Sequence, residues 1–233
     1  MFCHTCGTQV SSEVQFCPNC GQSLGAVPGA TGSAPPTPWT APVGVKAQPG
    51  RWIGAGWDMV KADIGTFLAL ALVFSLISSA VPVIIQGPML AGFHIFCMKK
   101  ILNRRAEFAD LFTGFNFFVP ALVASLVISL FVSLGFILCI IPGLVLTAMY
   151  VFTYLFIVDK RMDFWQAMQA SHAVVRNDYF GFTMYILLCG LVLLLGVVCC
   201  IIGVFVALPV TIAATTVAYK EIVGFEPRTV TSL

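Results

Sequence analysis

Apolar residues fill three long blocks of the chain, separated by short polar segments. No Asp, Glu, Lys or Arg occurs at 64–98 (35 residues), 111–158 (48) or 179–219 (41). Crossing a hydrocarbon core of about 30 Å takes roughly 20 helical residues, so each block is long enough to cross twice. A turn signal falls inside each: Pro82 with Gly87-Pro88, then Pro142-Gly143, then Gly203. The pattern predicts an all-α integral membrane protein with six transmembrane helices arranged as three hairpins. The first block is tight for two helices, so Lys61 or Lys99 is expected to snorkel at its ends.

Between the blocks the spacing changes to that of amphipathic helices. Phe108, Leu111, Phe112 and Phe115 fall at i, i+3, i+4 and i+7. Phe164, Ala167, Met168, Ser171 and Val175 form a weaker stripe, and Ile53, Trp57, Val60 and Ile64 form another before the first block. Trp52 and Trp57 suit the headgroup level. These segments are expected to be interfacial helices bracing the bundle; a lipid- or partner-binding groove is the sharper alternative. The order helix, turn, helix, basic cluster, amphipathic stretch occurs twice and begins a third time. Pro88, Pro142 and Pro209 hold related places, and the stripe starts 20 residues after Pro88 and 22 after Pro142. That spacing suggests a repeat of helical hairpins.

Composition narrows the class. Of 233 residues 59% are hydrophobic and 9% charged, with a mean hydropathy of +0.96. A soluble domain carries about 25% charged residues, so an ordinary soluble enzyme is excluded. Twenty Phe exclude a disordered chain. All twelve Lys and Arg lie outside the charge-free blocks: Lys46, Arg51, Lys61, Lys99, Lys100, Arg104, Arg105, Lys160, Arg161, Arg176, Lys220 and Arg228. One such residue at a helix centre costs about 2.5–3.5 kcal/mol on insertion scales. With three hairpins, all twelve face one compartment, which the positive-inside rule makes the cytoplasm. Both termini are then expected in the cytoplasm, with the bundle multi-pass in the inner (plasma) membrane and only short turns at 81–88 and 139–143 on the far side. The start Met1-Phe2-Cys3-His4 lacks a basic region followed by an apolar core. The first membrane helix is therefore expected to act as the targeting signal.

Three zones follow. Residues 1–24 are polar and Cys-rich and are expected to form a zinc ribbon. Residues 25–50 hold six Pro and five Gly with only Lys46 charged, a flexible linker with a reach of roughly 25–30 Å. Residues 51–233 are the six-helix membrane domain.

The first zone carries one site. Cys3-x-x-Cys6-Gly7 and Cys17-Pro18-Asn19-Cys20-Gly21 are two knuckles separated by nine residues. Each C-x-x-C turn converges two sulfurs, and the two pairs supply Cys3, Cys6, Cys17 and Cys20 to one tetrahedral structural Zn²⁺. Iron could also fill four thiolates, although small heads of this form commonly hold zinc. Two disulfides would need an oxidising compartment, against the cytoplasmic placement. Four thiolates leave no open position for water, so the metal is expected to be structural and to supply the folding energy of so small a head. His4 is expected to be a solvent-facing spacer, and Phe2 and Phe16 a minimal core. Residues 1–24 contain no Lys or Arg, so nucleic acid is not an expected partner. A cytoplasmic protein is.

The units Phe2-Cys3-His4-Thr5-Cys6-Gly7 and Phe16-Cys17-Pro18-Asn19-Cys20-Gly21 resemble the short zinc-ribbon heads of many bacterial membrane proteins. The resemblance implies a structural zinc module.

Inside the apolar blocks His94 is the only ionisable residue of the Asp, Glu, Lys, Arg and His set, five positions before Lys99. It is expected to be a satisfied structural or interfacial residue. Ser75, Ser78, Ser79, Ser125, Ser129 and Ser133 are expected to serve interhelical hydrogen bonding and close packing. Cys97, Cys139, Cys189, Cys199 and Cys200 are expected to be small buried hydrophobes. His172 and Ser171 are adjacent and do not face each other on a helix, so no triad follows. Asp159, Asp163 and Asp178 stand among basic residues as expected salt-bridge partners. An ion-coupled transporter normally needs a carboxylate relay in the bundle, and an intramembrane enzyme needs clustered ionisable groups; neither pattern is present. No catalytic residue is expected and no substrate-binding residue is assigned. A carrier or handler of a lipid or neutral small molecule stays open, and it predicts a polar cavity between hairpins.

The membrane part resembles a family of six-helix bacterial membrane proteins that includes the membrane domain attached to some glycerophosphodiester phosphodiesterases. The resemblance spans roughly 51–225. It rests on Gly87-Pro88 with Gly92, 108–115, Ile141-Pro142-Gly143, Asp159-Lys160-Arg161-Met162, 167–171 and 209–219. It implies topology; the phosphodiesterase catalytic domain has no counterpart here. The sequence thus points to a non-enzymatic membrane protein with a cytoplasmic zinc ribbon as an interaction or regulatory module.

Overall fold

The computed structural model describes Cys6, Thr8, Asn19, Cys20 and residues 39–80, 84–198 and 202–232. Cys3, Cys17, Phe2, Phe16, His4, Pro82, Cys199 and Cys200 lie outside the described residues. The chain forms two units, Met1–Thr40 and Ala41–Leu233. Among the described residues all regular structure is helical.

The larger unit opens with α1 (Pro49–Ala62), which starts on Pro49, where a missing amide costs nothing. Its buried face is Trp52, Gly56 and Val60, whereas Trp57 and Ile64 of the expected stripe are exposed. The helix turns a different face inward, and Trp52, expected at the headgroup level, packs inside the protein against Phe182 and Tyr185. A break at Asp63 turns the chain by 102° into α2 (Ile64–Ala80). Next comes α3 (Gln86–Ile101), which ends where Asn103 takes a left-handed φ of 53°. The one-turn α4 (Asp110–Thr113) runs through a 3-10 turn at Gly114–Phe117 into α5 (Phe118–Leu138). Helix α6 (Ile140–Met149) breaks at 150–152 and resumes as α7 (Thr153–Lys160). Then follow α8 (Phe164–Val175), α9 (Tyr179–Val198), α10 (Ile202–Ile222) and α11 (Pro227–Ser232).

Four segments are long and apolar enough to cross a membrane: Asp110–Leu138, Ile140–Lys160, Tyr179–Val198 and Gly203–Ile222. A fifth is added if the bent pair α1–α2 counts as one broken span. Six were expected, and the difference lies in the first block. There α2 has 17 residues and α3 has 16, about 25 Å each at 1.5 Å per residue. Both fall below the length of the four spans, and α3 is enclosed by protein, buried almost continuously from Gly87 to Met98. Its Met89, Phe93, Phe96 and Cys97 pack with Phe67, Leu70 and Phe74 of α2 and with Val210 and Ala213 of α10.

By contrast α5 and α9 turn apolar faces outward. Leu126, Leu130, Leu134 and Ile137 of α5 and Leu187, Leu191, Leu194 and Val198 of α9 are all exposed, at roughly helical spacing. Stripes of this size are not stable in water and suit acyl chains. Close approach at α3 is what fixes the centre. A Cβ on Gly92 would overlap the Leu111 carbonyl, and one on Gly114 would overlap the Pro88 carbonyl. Only glycine lets α3 and the 110–117 turn lie backbone to backbone.

Charged residues tie together the helix ends that carry them. Lys99 binds Asp110 at 2.7 Å, Lys100 binds Asp63 at 2.6 Å, Arg51 binds Glu221 at 2.6 Å and Lys160 binds Glu226 at 2.9 Å. These bonds join the C-terminal ends of α3 and α10 to the N-terminal ends of α1, α2 and α4, and the C-terminal end of α7 to the residue that precedes α11.

Candidate functional site

Two places carry polar chemistry. In the smaller unit, Cys6 lies in one knuckle and Asn19-Cys20 in the turn of the other. Thr8 links them: its Oγ1 accepts from Asn19 Nδ2 at 3.1 Å and lies 3.2 Å from Cys6 Sγ. The two C-x-x-C turns are thereby drawn together across eleven residues of sequence. The Cys6 thiol of one turn and the Asn19 amide of the other meet at this hydroxyl, and Cys20 follows Asn19 in the chain; among the described residues no three metal-ligating side chains are gathered. Cys6 and Cys20 are the two described members of the expected ligand set; Cys3 and Cys17 lie outside the described residues.

The second place is inside the bundle, where α3, α5, α6–α7 and α10 enclose a cleft of about 220 Å³. Leu90, Ile128, Val151 and Ile212 give it apolar walls, and six further side chains are polar: His94, Thr147, Tyr150, Tyr154, Thr211 and Thr215. None of the lining residues is Asp, Glu, Lys or Arg. Leu90, His94, Ile128, Thr211, Ile212 and Thr215 lie in the middle stretches of α3, α5 and α10, and Thr147, Tyr150, Val151 and Tyr154 lie about the break near the middle of the 140–160 span. His94, Ile212 and Thr215 are buried and form its closed side, while Ile128, Thr147, Tyr150 and Thr211 are partly exposed at its mouth.

The hydrogen bonds set what each group can still offer. Thr216 donates to the Ile212 carbonyl at 2.9 Å, and its oxygen lies 2.9 Å from His94 Nδ1. With the Thr216 proton on the Ile212 carbonyl, Nδ1 carries the ring hydrogen and the neutral ring keeps an acceptor at Nε2. Thr215 donates to the Thr211 carbonyl at 2.9 Å and accepts from Tyr185 at 2.8 Å. Thr211 donates to Leu208 and Thr147 to Gly143, each back into its own helix, which leaves their oxygens as acceptors. Tyr150 lies against Phe131, ring centroids 6.3 Å apart.

The break between α6 and α7 lies on the cleft wall. Ser171 of α8 inserts there, donating to the Met149 carbonyl at 2.7 Å and accepting from the Phe152 amide at 3.2 Å. It replaces backbone bonds that the interrupted helix gives up. Below the break the bundle is filled by aromatic rings: Phe156 meets Tyr219 edge-on at 5.1 Å, and Phe152 meets Phe182 at 5.8 Å.

Several expectations change. Of the two alternatives for His94, its burial and its bond to Thr216 of α10 fit the structural one. Ser79, Ser125 and Ser129 donate to carbonyls of their own helices, Leu76, Leu122 and Ser125, rather than only across interfaces. Short hydroxyls in an apolar helix find their own i−3 or i−4 carbonyl nearest. Ser125 also serves close packing, since a Cβ on Gly87 would press on it and on Ala121. Cys97 and Cys189 are buried, but Cys139 is exposed at the turn between α5 and α6. Asp159 is buried and accepts from Tyr219 and from the Glu226 amide, both at 3.0 Å, with Lys160 3.8 Å away. Asp178 accepts instead from the backbone amides of Ala47 and Gly181. His172 pairs with Tyr179 at 2.6 Å. In the turn outside the long spans, Lys100 and Thr66 beside Asp63 hold its carboxyl below the usual carboxylate range.

The cleft residues carried a sequence signal that the charge count passes over. Thr147, Tyr150, Val151 and Tyr154 fall at i, i+3, i+4 and i+7, a polar-edged stripe inside an uncharged block.

Residues 2–24 match the family model of a zinc-ribbon domain. No curated protein and no solved structure matches the chain.

Proposed function

We propose that this chain is a non-enzymatic multi-pass membrane protein whose zinc ribbon is a cytoplasmic protein-interaction or regulatory module. The match of residues 2–24 to a zinc-ribbon domain carries the proposal. A head whose four thiolates close the metal's coordination offers a folded surface rather than a reactive ion. Its lack of Lys and Arg favours protein over nucleic acid as partner. The proposal includes six crossings in three hairpins, with α2 and α3 as the short pair, both termini cytoplasmic in a bacterial inner membrane. It also includes the likeness of 51–225 to the six-helix family that contains the phosphodiesterase membrane domains. The gathering of ion pairs at one set of helix ends supports this topology. Reporter fusions at the two termini test it: both should read cytoplasmic, and an external signal at either overturns it. Co-purification from cells carrying the full chain or a chain lacking 1–24 tests the module: partners should be lost with the head, and an unchanged set overturns the role.

A second function is favoured by the cleft at His94. A neutral small molecule or lipid held or moved by the bundle needs an uncharged polar cavity between the helices, and the lining of the cleft supports this reading. Reconstituted protein should speed the transfer of a fluorescent neutral lipid between vesicles, and a rate equal to protein-free vesicles removes this function.

A further inference from the structure

We propose that the cleft holds the uncharged head of a lipid, one that carries carbonyl or hydroxyl oxygens and no phosphate. This deepens the second function above and rests on it.

The groups left over after the protein's own hydrogen bonds define the ligand. With the Thr216 proton on the Ile212 carbonyl, Nδ1 gives the ring's one hydrogen to Thr216 and His94 Nε2 is an acceptor. The ring is 3% exposed and lines the cleft, and among the described residues Nε2 has no partner. An acceptor that faces an open cleft is available to a ligand or water that donates to it. Across the cleft, Tyr150 and Tyr154 bring two phenolic O–H groups that likewise find no partner among the described residues. The site therefore presents donors on the α6–α7 wall and an acceptor on the α3 wall. A head with one hydroxyl and one carbonyl satisfies both; a hydrocarbon satisfies neither.

Charge sets the next limit. A phosphate calls for Arg, Lys or a bundle of amide N–H groups, and a cation calls for carboxylates; neither lines the cleft. Size and position argue for a lipid over a soluble solute. A volume of about 220 Å³ exceeds the roughly 150 Å³ that encloses a benzene ring, so a head of ring size or a little more fits. Acyl or prenyl chains do not fit and must leave through the mouth. There Ile128 and Thr147 are partly exposed, and the outward face of α5 beside them is apolar from Leu126 to Ile137. A chain leaving the cleft meets a surface made for hydrocarbon.

Two lipid classes share this chemistry, glycerides with a free hydroxyl and ester carbonyls, and ring heads with para oxygens. Full-length protein in nanodiscs would be irradiated with a photoreactive diacylglycerol and, separately, a photoreactive decyl-quinol. Labelling of α6–α7 or α10 peptides by either is the expected result, and which one labels identifies the class. Tyr154→Phe keeps the ring and removes a donor, so labelling should fall about tenfold. Thr211→Leu fills the mouth and should lower it further. Both variants would be scored only with a melting point within a few degrees of the parent. The proposal is overturned by absent labelling with both probes, by equal competition from phosphatidic acid of the same chains, by full competition from free glycerol, or by labelling unchanged in both folded variants. Vesicle transfer reads the function separately. Labelling without transfer keeps the site and removes the carrier role, and transfer without labelling does the reverse.

Discussion

Ser171 Oγ donates to the Met149 carbonyl at 2.7 Å and so closes the last turn of α6 from a neighbouring helix. The same oxygen accepts from the Phe152 amide at 3.2 Å, which opens α7. One hydroxyl thus stands in for the backbone on both sides of an interruption. Without it, a buried amide and a buried carbonyl lose their partner together. Ser171→Ala is expected to destabilise the detergent-solubilised protein by about 1–3 kcal/mol in a denaturant titration. Ser129→Ala removes only a bond back to the Ser125 carbonyl of its own helix and should change stability by less than about 0.5 kcal/mol. Equal effects for the two would mean that the break does not depend on Ser171.

His94 and Thr216 form a pair whose members cannot be removed independently. Thr216→Val takes away the acceptor that holds Nδ1–H and leaves a buried donor unpaired, at a cost of about 1–3 kcal/mol. His94→Leu removes the donor and leaves Thr216 bonded to Ile212, so it should cost less in polar terms. The double variant replaces both groups by apolar ones and should be more stable than the sum of the single losses. A double-mutant cycle read by unfolding would show a coupling of about 0.5–2 kcal/mol. Additive losses would show that the two do not interact.

How far these features could be read in the sequence depends on the physics each obeys. Membrane-length helices were legible from the missing charges, since a charge in hydrocarbon is expensive whatever the fold. The zinc-ribbon segment was legible because paired C-x-x-C spacing is itself the signature of a thiolate metal site, and residues 2–24 match a zinc-ribbon domain. The six-fold count was not settled by the same logic. A 35-residue block says nothing of whether its halves face lipid or protein, and α3 proves to be wrapped on nearly every side. Ser171 was visible only as one member of a stripe, because its role depends on a break 19 residues away. His94 was legible as a residue of an apolar helix, but its bond to Thr216 joins positions 122 apart and no local pattern announces it. The cleft depended on summing uncharged polar residues, which charge counting ignores.

The backbone contact at Gly92 makes a sharp steric expectation. A Cβ there would overlap the carbonyl of Leu111, and the adjacent Gly114 already lies against Gly92 itself. Neither neighbour is a flexible side-chain end, so α3 or the 110–117 turn must move. Gly92→Ala should cost about 1–3 kcal/mol and lower the yield of monodisperse protein. Gly65→Ala is the control, since nothing lies within 4 Å of its added carbon. In a helix the alanine is intrinsically favoured, so this variant should be neutral or more stable by up to about 1 kcal/mol. A Gly92→Ala protein as stable as Gly65→Ala would show that the two backbones do not approach so closely.

Metal binding by the head should follow the protonation of its thiols. Zinc takes thiolates, and each thiol must lose a proton to bind, so affinity falls as pH falls. Purified protein titrated from neutral pH toward pH 4 should release its metal to a chromophoric chelator, and the release should reverse on neutralisation. Cys6→Ser and Cys20→Ser each remove one ligand and should bring bound zinc, measured by elemental analysis, close to background. Thr8→Ala leaves all four thiols in place and removes the hydroxyl between Cys6 and Asn19. Outer partners of this kind typically account for 10–100-fold in metal affinity. Thr8→Ala should therefore keep one zinc per chain at saturating metal and lose it at a higher pH than the parent. Zinc undiminished in the cysteine variants would remove the metal site, and an unshifted release curve for Thr8→Ala would remove Thr8 from it.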